Sequence, residues 1–139
     1  MKQSEYPPAV LKYGGDLLAI EDFHFSKDDA DAGNPYNTVF NIRVVSGAFC
    51  GYAGCEYDIK AFRVFVDQLC ELYAFKRDRV LLSEICYGSN VTFSLDNVGH
   101  MQVEGEIFGE GMEQSLTFVF AADQSALPPF ICALKNYIL

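Results

Sequence analysis

Three runs of alternating apolar and polar residues lie between positions 91 and 121, and they constrain the fold more than any other feature of the chain. The runs cover residues 91–95, 101–107 and 116–120. Alternation at period two places successive side chains on opposite faces of a strand, so each run predicts a strand with one buried face. The linking segments contain Asp-Asn-Val-Gly and Gly-Glu-Gly, which are typical of turns. The stretch therefore predicts an antiparallel meander.

The rest of the chain predicts further strands and two helices. Apolar residues recur at three- and four-residue spacing over 58–75, which is typical of a helix with one buried stripe. Asp58 suits the N-cap of this helix because its carboxylate can accept a free backbone N–H. A second helix is predicted from the Pro-Pro pair at 128–129, since proline fits a first helical turn. Further strands are predicted at 16–25, 38–46, 48–57 and 79–86, with a short extended piece at 10–13 inside a lead-in of residues 1–15.

These elements predict an α+β fold in a single globular domain covering residues 1–139. Strands with no helix between them pair antiparallel, so we expect a mostly antiparallel sheet of about six to seven strands. One central and one C-terminal helix are expected to pack on that sheet. We find no internal sequence repeat and no linker. The helix residues expected to be buried are Ile59, Phe62, Val66, Leu69, Cys70 and Tyr73, then Phe130, Ile131, Leu134, Tyr137 and Ile138.

The net charge limits which kinds of macromolecule are expected to bind this chain. Ten basic and 19 acidic residues give a net charge of −9 and an isoelectric point near 4.5. Such a charge repels nucleic-acid phosphates and anionic membranes, so neither is expected as a partner. A basic protein partner fits the charge, and so does simple solubility.

Cysteine usage and the N-terminal sequence favour a cytoplasmic protein. The five cysteines are odd in number and lack clustered spacing, which argues against a secreted disulfide scaffold. The first residues contain no apolar signal segment. No apolar run approaches the roughly 18 residues that a membrane helix needs. Free thiols in a reducing compartment are the expectation.

No pattern in the chain indicates a metal or cofactor site. Asp29 and Asp31 resemble the start of a calcium loop, but the twelfth position is Phe40 rather than a glutamate. The Cys50 and Cys55 pair has neither the spacing nor the second ligand pair of a zinc site. We therefore expect no metal and no cofactor, and we interpret residues 26–37 as a solvated acidic loop.

The residues leave an enzymatic alternative open without favouring it. A nucleophilic cysteine would need a base, and His24 and His100 are the two histidines available. Glu104 and Glu106 stand two apart, as a pair of acid–base carboxylates would. Strand alternation also explains that pair as the solvent face of a half-buried sheet. We assign no catalytic residue, and a small Cys- or carboxylate-dependent hydrolase remains the less favoured alternative.

The order of signals resembles a known family. The features that carry the resemblance are Leu-Leu-Ala-Ile at 17–20, the acidic loop, the aromatic and glycine-rich stretch at 49–54, the helix beginning after Asp58 and Ser-Glu-Ile-Cys at 83–86. This layout is similar to that of immunity proteins paired with bacterial polymorphic toxins, in particular the type associated with wall-associated toxins. The resemblance implies a cytoplasmic, non-enzymatic protein that binds and blocks a cognate toxin domain, with basic nucleases among the expected toxins.

Two acidic groups are the expected partner-binding residues. One group lies on the predicted hairpin, where like charges repel one another until a basic partner neutralises them. The second group lies in the acidic loop. A ligand-binding module, or a module that dimerises through an exposed strand edge, is the alternative function. The expected partner-binding residues are Glu104, Glu106, Glu110 and Glu113 in the first group and Asp28, Asp29 and Asp31 in the second.

Overall fold

A computed structural model describes residues 6–139, so the part of the predicted lead-in at 1–5 lies outside the described residues. The elements follow the sequence-based prediction closely in order. The strands are β1 (Ala9–Tyr13), β2 (Asp16–Phe25), β3 (Thr38–Ser46), β4 (Phe49–Tyr57), β5 (Arg79–Ser83), β6 (Asn90–Leu95), β7 (His100–Phe108) and β8 (Ser115–Asp123). The helices are α1 (Lys27–Asp31), α2 (Ile59–Tyr73) and α3 (Leu127–Tyr137), with 3-10 turns at Glu110–Met112 and Gln124–Ala126.

The strands of the described chain form two antiparallel sheets of four strands each. Their orders are β1-β2-β3-β4 and β5-β6-β7-β8, and every neighbour in each sheet is also the neighbour in sequence. The predicted α+β class with antiparallel strands, a central helix and a C-terminal helix is confirmed. The strands number eight rather than six or seven and belong to two sheets rather than one. Each sheet is followed by a long helix, so the topology repeats although the sequence does not.

Helix α2 lies between the two halves and is capped as predicted. The Asp58 carboxylate accepts the backbone N–H of Lys60 at 2.9 Å, which satisfies a donor left free at the helix start. Tyr73 was expected to be buried but is 43% exposed. Phe65 and Leu72 were missed, and they are buried because α2 contacts protein on more than one side. The buried residues of α2 are Ile59, Phe62, Phe65, Val66, Leu69 and Leu72.

A row of aromatic rings crosses the interior and joins the two halves. Phe62 packs on Phe23 from the first sheet, with ring centroids 5.1 Å apart. Phe65 follows one turn later and packs on Phe93 of the second sheet at 5.8 Å. Phe93 in turn contacts Phe130 of α3 at 6.0 Å. Tilted ring pairs at these distances are favourable beyond the area they bury, so both sheets and both long helices share one hydrophobic core.

The two sheets approach each other closely at Gly51 of β4. A Cβ at this position would lie 2.6 Å from Leu116 Cδ2 and 3.0 Å from Ile107 Cδ1. Glycine therefore leaves room for the side chains of the second sheet. The hydroxyl of Ser46 also donates to the carbonyl of Val119 at 3.3 Å, which ties the end of β3 to β8.

Two local predictions are corrected. Residues 26–37 are not a simple loop, because α1 forms there with Ser26 as its N-cap and no buried residue. Strand β5 ends at Ser83 rather than at residue 86, because the chain turns at Glu84. Across residues 6–139, no helix has the length and apolar character needed to cross a membrane.

Candidate functional site

Glu104 and Glu106 lie on the outer face of the second sheet, as the alternation predicts. Glu104 is exposed, and its cross-strand neighbours are Thr92 and Val119. Glu106 is half-buried and accepts the hydroxyl hydrogen of Thr117 at 3.2 Å. Neither carboxylate stands directly opposite another acid, so the repulsion expected between strands is relieved by neutral neighbours. The two remain the acidic part of this sheet face.

Glu110 and Glu113 lie at the tip of the same hairpin. Both are exposed; Glu110 begins the 3-10 turn between β7 and β8, and Glu113 follows it. Gly111 and Met112 within that turn have positive φ values of 75° and 61°. The left-handed region costs a non-glycine residue free energy, and Met112 occupies it while 53% exposed. We call Glu104, Glu106, Glu110 and Glu113 the acidic hairpin.

Within residues 6–139, the acids of the acidic hairpin form no ion pair with a cation of the chain. Within residues 6–139, ion pairs shorter than 4.0 Å form at three places, and none of them includes an acid of the hairpin. They are Lys27–Asp31, Arg43–Glu21 and His100–Asp96. The four glutamates therefore present negative charge to the solvent. Such a surface attracts a positively charged partner.

A buried glutamate organises the segment beside the hairpin. The Glu84 side chain is 5% exposed, and its carboxylate accepts four backbone N–H groups. Oε2 receives those of Glu56 at 3.0 Å and Cys86 at 2.8 Å. Oε1 receives those of Tyr87 at 2.5 Å and Gly88 at 2.9 Å. We call residues 84–89 the Glu84 loop.

The Glu84 loop is hydrogen-bonded to β4 on one side and to the end of β7 in the hairpin on the other. Its Ser89 hydroxyl accepts the backbone N–H of Phe108 at the end of β7, at 3.0 Å. The neighbouring Cys86 thiol raises the pKa of the Tyr87 hydroxyl, with smaller contributions from desolvation and from the charges of Glu110 and Glu56. The charges of Glu56 in β4 and Glu110 in the hairpin thus both contribute to this raised pKa.

Exposed apolar side chains also lie on these two segments. Ile85 is 43% exposed in the Glu84 loop, and Met112 protrudes from the hairpin tip. Exposed apolar residues bordered by charge are common at protein-binding surfaces. The arrangement therefore suits a protein partner that is basic at its rim.

The second predicted acidic group lies on α1, and it is more ordered than a loop. Asp31 pairs with Lys27 at 2.8 Å, and both side chains are well exposed. Asp28 and Asp29 occupy the first turn, where a negative charge is favourable. Helix geometry and Lys27 thus compensate much of this charge, which leaves the acidic hairpin as the less neutralised group.

Two of the cysteines considered for catalysis have raised pKa values. Burial strongly raises the pKa of the Cys55 thiol, and desolvation with the Glu56 carboxylate raises that of Cys86. A raised pKa disfavours the thiolate that nucleophilic attack requires. His100 Nδ1 lies 3.2 Å from Asp96 at the β6–β7 turn. Across residues 6–139, no group of three or more His, Cys, Asp or Glu side chains is placed to hold a metal ion.

Glu84 and Glu56 are the two residues of this region whose roles sequence reasoning missed. Glu84 was assigned to a strand, because an isolated glutamate after an apolar run gives no sign that its side chain turns back to bind four N–H groups. Glu56 follows the alternation of β4 and resembles any solvent-facing residue. Their roles depend on contacts with residues up to 28 positions away.

The fold has a counterpart among solved structures. No protein-family model matches the chain, and no curated protein matches its sequence. The architecture is similar to that in the crystal structures of Trypanosoma brucei MRP1/MRP2, with a TM-score of 0.53 over 99% of this chain and 85% of the other. The sequence identity is 10%, so the similarity concerns the fold alone, and function must be argued from the residues of this chain.

Proposed function

We propose that this protein is a cytoplasmic immunity protein that binds and neutralises a cognate bacterial toxin domain by covering its active surface. The observation that carries the proposal is the acidic hairpin, whose four carboxylates have no cationic partner in the described chain. The layout of the sequence, which resembles that of polymorphic-toxin immunity proteins, supports the same function. Binding requires no catalytic residue, no metal and no cofactor.

The expected toxin is basic, and a nuclease domain fits best. A nuclease must attract phosphate, so its substrate groove carries positive charge. An acidic surface can occupy that groove and raise the rate of association by electrostatic steering. The exposed Ile85 and Met112 would supply apolar contact inside the charged rim. A net charge of −9 disfavours the alternative that this chain itself binds nucleic acid.

Co-expression provides the first test. A candidate toxin domain, such as the C-terminal domain of a large secreted protein encoded by an adjacent gene, is expressed in a bacterial host with and without the protein, and growth is measured. We expect growth to be restored when the protein is present. Continued toxicity with both proteins soluble would refute the proposal, and tight binding of the purified protein to nucleic acid would indicate a different class of function.

Charge reversal locates the interface. Glu104→Lys combined with Glu110→Lys changes two exposed side chains that make no hydrogen bond in the described chain. Asp67→Lys with Glu71→Lys is the matched control, since it makes the same change in net charge at exposed positions of α2. We expect the first variant to weaken toxin binding by at least ~2 kcal/mol, or about 30-fold, in calorimetric titration. Equal affinity for both variants, with unchanged circular dichroism, would remove the hairpin from the interface.

A further inference from the structure

The outer edge of β4 carries backbone N–H and carbonyl groups that are not hydrogen-bonded to another strand within residues 6–139. Glu56 shows which way they point, because its N–H donates to Glu84 and its carbonyl accepts the N–H of Ile85, both outside the sheet. The β3–β4 register is continuous from residue 57 to residue 49. In an antiparallel ladder every second residue has the same orientation. Gly54, Tyr52 and Cys50 therefore also direct their N–H and carbonyl groups away from β3.

The outward-directed N–H and carbonyl groups of Cys50, Tyr52 and Gly54 have no hydrogen-bonding partner within residues 6–139. The other sheet edges also have contacts of their own. Strand β1 packs against α3 and carries Lys12. The Ser46 hydroxyl covers the Val119 carbonyl on β8, and the N–H of Ser83 on β5 donates to the Tyr57 hydroxyl at 3.3 Å.

The exposed edge of β4 also lacks the features that usually keep strand edges apart. Residues 49–55 read Phe-Cys-Gly-Tyr-Ala-Gly-Cys and contain no charge and no proline, and the register has no bulge. Natural edges are commonly protected by lysine, proline or a bulge, and an unprotected edge pairs with another strand. The net charge of −9 makes two copies of this chain repel each other. At this uncharged segment, two copies can meet without bringing acidic side chains opposite each other.

Gly54 gives a separate indication of a neighbour. A Cβ there would meet nothing closer than Asn41 Oδ1 at 3.6 Å, and its φ is not in the left-handed region. Glycine is therefore not required by the monomer, unlike Gly51, where Leu116 occupies the space. Glycine within a strand often marks a site where another backbone or side chain approaches closely.

We propose that two copies of this chain pair through antiparallel β4 edges about a twofold axis at Tyr52. Tyr52 then faces Tyr52 of the second copy, and Cys50 faces Gly54 of the second copy. All three unpaired residues of each chain gain hydrogen bonds, and the two four-stranded sheets join into one of eight. Pairing ends at Gly54 because Glu84 and Ile85 already occupy the edge at Glu56.

The side chains beside this edge suit a protein interface. Tyr52 is 49% exposed and Phe49 is 69% exposed. The guanidinium of Arg43 lies 4.8 Å from the Tyr52 ring centroid, and its Nη2 lies 2.8 Å from Glu21 Oε1. Arginine and tyrosine dominate the binding energy of many interfaces, and here they are ordered before association. The short paired segment predicts a weak, concentration-dependent dimer.

Sedimentation tests whether the dimer exists. We expect the sedimentation coefficient of the wild-type protein to rise with concentration between about 5 and 500 µM, the range in which weak interfaces associate. Cys50→Lys with Gly54→Lys places like charges opposite each other and should raise the dissociation constant at least tenfold. Ala61→Lys with Asn136→Lys adds the same charge at exposed helix positions and should leave it unchanged. A wild-type protein that stays monomeric throughout refutes the proposal.

Cross-linking tests the register. Residues opposite each other in a hydrogen-bonded pair have Cα atoms about 5.5 Å apart, within the range that a disulfide spans. Gly54→Cys should therefore form a covalent dimer with the native Cys50 under mild oxidation. The control is Gly54→Cys in a Cys50→Ser background, which retains the other exposed cysteines. Equal cross-linking in both variants would overturn the twofold axis at Tyr52, and loss of the dimer in the control would support it.

Discussion

Replacing Glu84 with glutamine should destabilise the protein strongly although it changes few atoms. Each carboxylate oxygen accepts two backbone N–H groups, so glutamine retains one acceptor and turns an amino group toward the other two donors. A buried donor left without a partner costs about 1–3 kcal/mol. Each pair of donors includes one on an exposed residue, Cys86 or Gly88, so the lower value applies to that donor and a somewhat higher one to the other. The two remaining hydrogen bonds also weaken because their acceptor is no longer charged, and we expect a total destabilisation of about 3 kcal/mol.

Thermal unfolding measures this effect. For 139 residues, a loss of 1 kcal/mol lowers the melting temperature by about 3 °C, so the expected decrease is about 10 °C. Such a loss is a large part of the roughly 5–15 kcal/mol that stabilises a domain. Glu104→Gln is the control, because Glu104 is exposed and changes there are usually within about 0.5 kcal/mol.

Hydrogen exchange shows whether the loss arises at Glu84. The amides of Cys86, Tyr87 and Gly88 should exchange faster in the glutamine variant than in the wild type, beyond the change expected from lower global stability. A decrease of less than about 1 kcal/mol would refute the reasoning that the four N–H groups depend on this carboxylate. Unchanged exchange at all three amides would refute it as well.

Further predictions concern single positions. Gly105→Ala should destabilise by at least ~2 kcal/mol in denaturant unfolding, because its Cβ would overlap the backbone of Asn90, whereas Gly54→Ala should have little effect. Phe75→Gly should raise the melting temperature, because Phe75 has a φ of 59° after α2. Asp96 has a pKa lowered mainly by a backbone N–H, so its contribution is present above about pH 4 and is lost as pH falls through the lowered value. The melting temperatures of wild type and Asp96→Asn should therefore converge in acid.

Local patterns in the sequence were sufficient for most elements. Strand β2 spans residues 16–25 and β3 spans residues 38–46, both as predicted, the second from alternation of apolar and polar residues. Asp58 caps α2 because capping needs only residues within one turn of the helix start. These predictions succeed because side-chain period, caps and turns are set by neighbours in the sequence.

The division into two sheets could not be read from the same patterns. Alternation shows that a strand has one buried face, but it does not show what covers that face. Strands β4 and β5 are separated by α2 and do not pair, and Phe65 of α2 packs on Phe93 of the second sheet. Burial of Phe65 and Leu72 was not predicted for the same reason. The prediction placed one apolar stripe of α2 against one surface, whereas α2 contacts protein on more than one side.

The sequence by itself determined the α+β class, the order of the elements and the position of the acidic hairpin, because each depends on short-range periodicity or on composition. Only the tertiary structure decided which acids stay unpaired, that Glu84 closes its loop through four backbone N–H groups, and that the edge of β4 is open at Cys50, Tyr52 and Gly54. Those features depend on which distant segments meet, and contact between distant segments is decided by packing of the whole core.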